Sequence, residues 1–271
     1  MFLLDQVNLA RVLHIKGILG KISMKGVVFM PYVNDSAFPD AQNEYVCWID
    51  IMGTKRQMEH SVNTCGIFMT KFHAAILEAV QEKGFTKDRA IETYPVMDGV
   101  YITSKTRKNL EIALVHIFSG LGRLFNSTTD FHHQFLVKAA IAYGPVIHGE
   151  DIGDVVNRAI ANNPSYKNSL LIGLPMIQAI TGEQNAPPFG VFIHESARTF
   201  HPKDEEAFSF KWWKWFLYDK TTWSQKQTQE LRKAIMAYFK SCKEQSLVLD
   251  YPVERIAIHQ EATKEYFANI S

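Results

Sequence analysis

Apolar positions along the chain follow two periods. Residues 44–51 (EYVCWIDI) form a short run rich in β-branched and aromatic residues, which suits a buried strand. From Met58 to Lys83 the period changes. Val62, Ile67, Phe68, Phe72, Ile76, Leu77 and Val80 recur at helical spacing and predict one long helix ending near Gly84. Residues 90–104 read as two strands joined at Asp98–Gly99, a dipeptide that favours a tight turn. Residues 107–126 carry Leu110, Leu114, Ile117, Leu121, Leu124 and Phe125 on one helical face. Residues 135–143 are a further apolar strand. The order strand, helix, strand, strand, helix, strand is the ferredoxin-like split unit. The expected fold is therefore α+β, an α/β sandwich built on a βαββαβ core.

The flanks are less regular. Residues 1–43 form an N-terminal extension, with an amphipathic helix and a short strand in 1–29 and a loop in 30–43. Residues 44–218 form the main domain. Within it, 150–168 read as a loop, 169–172 as a short strand and 174–184 as a helix with Pro175 in its first turn. Residues 190–194 read as a strand. Residues 208–218 alternate aromatics with lysines, as an edge or hairpin strand would. Residues 219–271 form a C-terminal helical extension packed on the core, with helices expected in 221–243 and 250–271.

Composition narrows the class. The chain has 271 residues, 46% hydrophobic and 21% charged, enough to bury a sizeable core. A net charge of +1 gives no electrostatic case for nucleic acid or an anionic membrane. Cys47, Cys65 and Cys242 are odd in number and widely spaced, so they make neither a disulfide framework nor a zinc site, and a reducing cytoplasm fits. The opening segment is broken by Asp5, Arg11, His14 and Lys16 and is too polar to span a membrane. His116, His132, His133 and His148 share no ligand spacing. Walker, Rossmann and nucleophile-elbow patterns are absent.

Candidate chemistry centres on Asp50. A carboxylate inside a hydrophobic strand costs free energy unless something positive meets it. Gly53 then allows close backbone approach, and Thr54 can cap a following helix. Strand, acid, tight loop and helix together offer amide groups to an anion beside a carboxylate that can hold a metal. Lys55 and Arg56 add charge, or simply solvate a helix start. Asp98, at the tip of the adjacent hairpin, is a second hard oxygen donor, although Asp-Gly is also ordinary turn chemistry. Residues 135–149 (FLVKAAIAYGPVIHG) supply a third piece, with Lys138 six positions before Gly144-Pro145-Val146.

Taken in order, these three pieces resemble the catalytic domain of class III nucleotide cyclases, over about residues 44–218. Asp50-Ile51-Met52-Gly53 matches that family's first metal motif, Asp98 its second metal acid, and Lys138 with Gly144-Pro145-Val146 its next core strand. The resemblance implies conversion of a nucleoside triphosphate to a 3′,5′-cyclic monophosphate and pyrophosphate. It implies two divalent ions, Mn2+ or Mg2+, held by Asp50, Asp98 and the Ile51 carbonyl. It also implies phosphates cradled by the amides of Met52, Gly53 and Thr54, and a homodimer with shared active sites.

The departures bear on substrate. Tyr94 stands where adenylate cyclases carry a base-reading Lys, and Leu170 stands in place of its partner acid. An aromatic ring with a hydroxyl can stack on or bond a smaller base. The chain thus looks like the Pycsar pyrimidine cyclases of bacterial anti-phage defence, with UTP favoured over CTP and cyclic UMP sensed by a separate effector protein. The family's Asn and Arg after the next glycine motif are replaced by Ile177 and Thr181. Arg158, Lys167, Lys211 and Lys214 are candidate substitutes. Rival readings are a purine cyclase and a non-catalytic cyclase-like module that binds nucleotide.

Overall fold

Every second residue of the first strand turns to the same face of the sheet, and that alternation sets the architecture. The computed structural model describes residues 33–82, 84–85, 89–153, 156–244 and 251–268, so the helix and strand expected in 1–29 lie outside the described residues. The fold is α+β. A seven-stranded mixed sheet runs in the order β2-β3-β1-β4-β6-β7, with β5 pairing β4. Its strands are β1 (Gln42–Ile51), β2 (Glu92–Val96), β3 (Gly99–Ser104), β4 (Val137–His148), β5 (Leu171–Gly173), β6 (Val191–Ile193) and β7 (Trp212–Trp213). The first four strands pair antiparallel in the order β2-β3-β1-β4, which is the split-unit core. Among the described residues only β4 and β6 pair in parallel.

The helices are α1 (Thr54–His60), α2 (Val62–Glu82), α3 (Arg107–Ser127), α4 (Arg158–Ala161), α5 (Pro164–Asn168), α6 (Leu174–Gly182), α7 (Glu195–Thr199), α8 (Gln225–Glu244) and α9 (Val253–Tyr266). Tyr45, Cys47, Ile49 and Ile51 face the main core with Phe68 and Phe72 of α2 and Leu114 and Phe118 of α3. The same core includes Leu231, Ile235, Phe239 and Ile256, so α8 and α9 close it rather than standing apart. Val46 and Trp48 face the other way, into a smaller cluster with Tyr94, Tyr101 and Ala179 of α6. Asp50 shares their phase. It therefore lies on the α6 side of the sheet, clear of the apolar layer.

Several elements differ from the sequence expectation for local reasons. The long helix is two helices. Ser61 is extended (φ −158°, ψ 106°), and its hydroxyl accepts the Thr64 amide at 3.2 Å, which restarts the helix. The helix before it is capped by Gly53 rather than Thr54. The hairpin turn is Met97–Asp98, because β3 begins at Gly99 paired with Val96. β4 runs through Gly144–Pro145 as one strand, since Gln42–Glu44 of β1 lie alongside it. The loop expected at 150–168 holds α4 and α5, each capped by an asparagine, Asn157 and Asn163. Residues 208–218 form only the two-residue β7 and a tight turn. Phe208, Trp213, Trp215 and Phe216 are all buried there, so the aromatics do not alternate between inside and outside. All three cysteines are buried and free.

Candidate active site

Asp50 stands one residue before the end of β1, opposite Gly99 of β3 and Lys138 of β4. Gly99 is needed for contact rather than conformation. A Cβ there would lie 2.3 Å from the Trp48 ring and 2.8 Å from the Ile49 carbonyl. Without it the hairpin packs flat on Trp48, which sets Asp98 beside the end of β1. The turn uses Met97 at φ +54°, a left-handed conformation that a bulky residue adopts at a cost. On the other side, Gly53 at φ +84° reverses the chain into α1. Thr54 then points back, and its hydroxyl donates to Asp98 Oδ2. The turn after β1 and the hairpin tip are thus joined through the second acid.

Charge is concentrated at this point. Lys138 Nζ lies 2.7 Å from Glu183 Oε1, with both side chains nearly buried. Burial, and then the Glu183 and Asp98 carboxylates, push the Asp50 carboxyl up to about 8 against the pull of Lys138. Asp50 and Asp98 are hard oxygen donors, and with Glu183 they set three carboxylates around the single ammonium of Lys138, a setting that suits a divalent cation. Among the described residues no three His, Cys, Asp or Glu side chains converge as a metal cage. Asp50 and Asp98 would supply a carboxylate pair, an open donor set that leaves room for substrate phosphates in the coordination. The residues present therefore fit the expected ions.

A cleft of about 660 Å3 opens beside Asp50. Gly53, Lys55 and Arg56 line it from the turn and α1, and Lys138 and Glu183 line it from the sheet side. Its far wall is Tyr251 and the start of α9, with Glu254, Arg255 and His259. Burial, then Lys138 and Arg255, hold His259 down at about 4, so it is neutral at ordinary pH. The Met52 amide donates to the Leu136 carbonyl at 2.8 Å. Of the three amides expected to cradle phosphate, that leaves those of Gly53 and Thr54, at the start of α1.

The other expected residues sit elsewhere. Tyr94 is on β2, buried, with its hydroxyl 2.5 Å from His148 Nδ1 and 3.1 Å from Glu92 Oε2. His148 also meets Glu44 at 3.2 Å, and Arg89 pairs with Glu92 and with Asp151 at 2.8 Å. Burial alone would lower His148, but its hydrogen bonds to Glu44 and Glu92 raise it to about 9. Glu92 falls to about 2, because bonds from His148 and Arg89 outweigh its burial. Leu170 is half-buried just before β5. Ile177 and Thr181 lie exposed on α6, and the Thr181 hydroxyl donates to the Ile177 carbonyl at 2.7 Å. Arg158, Lys167, Lys211 and Lys214 do not line the cleft. Lys211 lies over the Trp212 ring, and Lys214 donates to the Ala268 carbonyl. Sequence reasoning missed Glu183, Arg255 and His259, which reach the site from segments with no motif of their own.

No family model and no curated protein matches the chain. Solved structures do resemble it. The monomeric guanylyl cyclase domain of the RhoGC fusion protein from the aquatic fungus Blastocladiella emersonii shares 14% identity over 59% of this chain and 85% of its own, with a TM-score of 0.43. The guanylate cyclase domain of RhGC from Catenaria anguillulae, in complex with GTP, shares 12% over 58% of this chain and 81% of its own, also at 0.43. A bacterial light-regulated adenylyl cyclase shares 16% over 66% of this chain and 51% of its own, at 0.41. Similarity at this level assigns no chemistry, so the functional reading rests on the residues of the site.

Proposed function

We propose that the chain is a metal-dependent nucleotide cyclase that converts UTP to 3′,5′-cyclic UMP and pyrophosphate. The observation that carries this reading is the meeting of Asp50 and Asp98 at one end of the sheet, beside a cleft with four cationic side chains. Asp50, Asp98 and the Ile51 carbonyl would hold divalent ions, Mn2+ or Mg2+, which when bound lower the pKa of the 3′-hydroxyl and offset charge on the phosphates. Thr54 orients the Asp98 carboxylate through its hydroxyl. The Gly53 and Thr54 amides, with Lys55 and Arg56, face the polyphosphate.

The residues at the two base-reading positions bear on the choice of base. Tyr94 brings no cation, its hydroxyl is already bound by His148 and Glu92, and Leu170 brings no acid. A site without an ionic pair for adenine supports a pyrimidine. A homodimer is supported by α6, which exposes Leu174, Ile177 and Ile180 as one apolar stripe on the same side of the sheet as Asp50. The resemblance to Pycsar cyclases supports a second-messenger role in anti-phage defence, with a separate effector sensing the product. No helix among the described residues is long and apolar enough to cross a membrane.

The test is incubation of purified protein with Mn2+ and each of ATP, GTP, CTP and UTP, with products identified by mass spectrometry. Cyclic UMP is expected. Cyclic CMP would keep the mechanism and move the base choice. A cyclic purine nucleotide would overturn the pyrimidine assignment. Absence of any cyclic product would favour the non-catalytic nucleotide-binding reading, which the replacement of Asn and Arg by Ile177 and Thr181 also supports.

A further inference from the structure

We propose that the cleft beside Asp50 is a polyphosphate subsite completed from within the same chain by Arg255 of the C-terminal helix. The inference rests on the cyclase reading for the identity of its ligand, a nucleoside triphosphate, and on the cleft itself for its chemistry. The cleft has the volume of an ordinary small-ligand site, about 660 Å3. Its cations come from three separate elements: Lys55 and Arg56 from α1, Lys138 from β4 and Arg255 from α9. Lys138 is committed to Glu183. Arg255 is exposed and, among the described residues, makes no ion pair. A guanidinium presents a planar fork of donors that matches two phosphate oxygens at once.

The position of α9 is not adventitious. Ile256, next in sequence to Arg255, is fully buried in the main core, and the Tyr266 hydroxyl donates to the Trp213 carbonyl at 2.5 Å. The Tyr251 hydroxyl bonds His259 Nδ1 across the first turns of the helix. Arg255 thus lines, from an anchored element, the same cleft as the β1–α1 turn. Meanwhile no residue of α6 lines the cleft, and Ile177 and Thr181 bring no cation to it. Glu254 also lines the cleft, and with Asp50 and Glu183 it sets three carboxylates against the four cations. That balance suits a metal-bound polyphosphate better than a bare anion.

The experiment is calorimetric titration of the full chain with inorganic tripolyphosphate in Mg2+, comparing wild type, Arg255→Ala, Arg255→Lys and Lys226→Ala. Lys226 is a surface lysine on α8, with its side chain 85% exposed, and removing it makes the same change in net charge. Loss of a charge-assisted contact should weaken binding roughly tenfold in Arg255→Ala. Arg255→Lys should recover part of the loss, and Lys226→Ala should bind as wild type. No binding by wild type, unaltered binding by Arg255→Ala, or an equal loss in Lys226→Ala would each overturn the subsite. The same proteins are then assayed for cyclic product. Arg255-dependent binding with no product from wild type keeps the subsite and removes the cyclase reading. Product formation with unchanged kcat and KM in Arg255→Ala does the reverse.

Discussion

At the scale of single residues, the chain holds two clusters of charge with opposite purposes. Immediately around Asp50, the Asp50, Asp98 and Glu183 carboxylates outnumber the one ammonium of Lys138, an imbalance that the proposed metal would offset. Around His148, every charge is matched: Glu44 and Glu92 hold the imidazole, and Arg89 holds Glu92. Removing one partner from such a buried set costs about 3–5 kcal/mol, and His148→Gln should lower stability by that order. The pH dependence follows from the two shifts. His148 is raised to about 9, so its contribution is complete below about 6.5 and lost as pH rises through 9. Glu92 is lowered to about 2, so its contribution is complete above about 4.5 and lost as pH falls through 2. Thermal melts should therefore show a wider gap between wild type and His148→Gln at pH 6 than at pH 10. An equal gap would mean that the network is not ionic. Asp50 was legible in the sequence because a carboxylate inside an apolar strand asks for a partner. The His148 network was not, because Glu44, Glu92 and His148 lie on three strands and meet only through register.

At the scale of elements, the hairpin is what delivers Asp98. Sequence alone suggested an Asp-Gly turn, and the acid indeed sits at the tip. Gly99, however, serves the strand, where it makes room for the Trp48 ring. Gly99→Ala should force that ring or the hairpin aside and cost about 1–3 kcal/mol. It should also weaken Mn2+ binding, because Asp98 moves with the strand. A melt and a Mn2+ titration check both, and wild-type affinity in the variant would detach Asp98 from the packing of Trp48. Strands and helices of the core were readable from period alone, since each buries one face. The break at Ser61 was not, because residues 58–83 keep helical period across it and only the Ser61 hydroxyl marks the restart. The aromatic segment 208–218 misled for the opposite reason. Its lysines suggested alternation, yet four of its aromatics are buried together.

At the scale of the whole molecule, one side of the sheet is sealed by α2, α3, α8 and α9, and the other is only partly covered by α6. The exposed stripe of Leu174, Ile177 and Ile180 on α6 is where the proposed dimer would seat its second copy. Ile177→Glu should convert a dimer to monomer in sedimentation velocity, with an unchanged melting temperature and loss of product. A dimer that persists would place the contact elsewhere. The order of the core was legible from sequence, but the way the C-terminal helix returns to wall the cleft was not. Nothing in the sequence around Arg255 marks it, and only the fold carries it to Asp50. The most direct test of the proposed chemistry is the rate of cyclic product formation from UTP in Mn2+, measured side by side for wild type, Asp50→Asn and Asp98→Asn. We expect product from wild type and loss of product in both variants, each melting close to wild type. Product from either variant at the wild-type rate would contradict the assignment of the carboxylate pair.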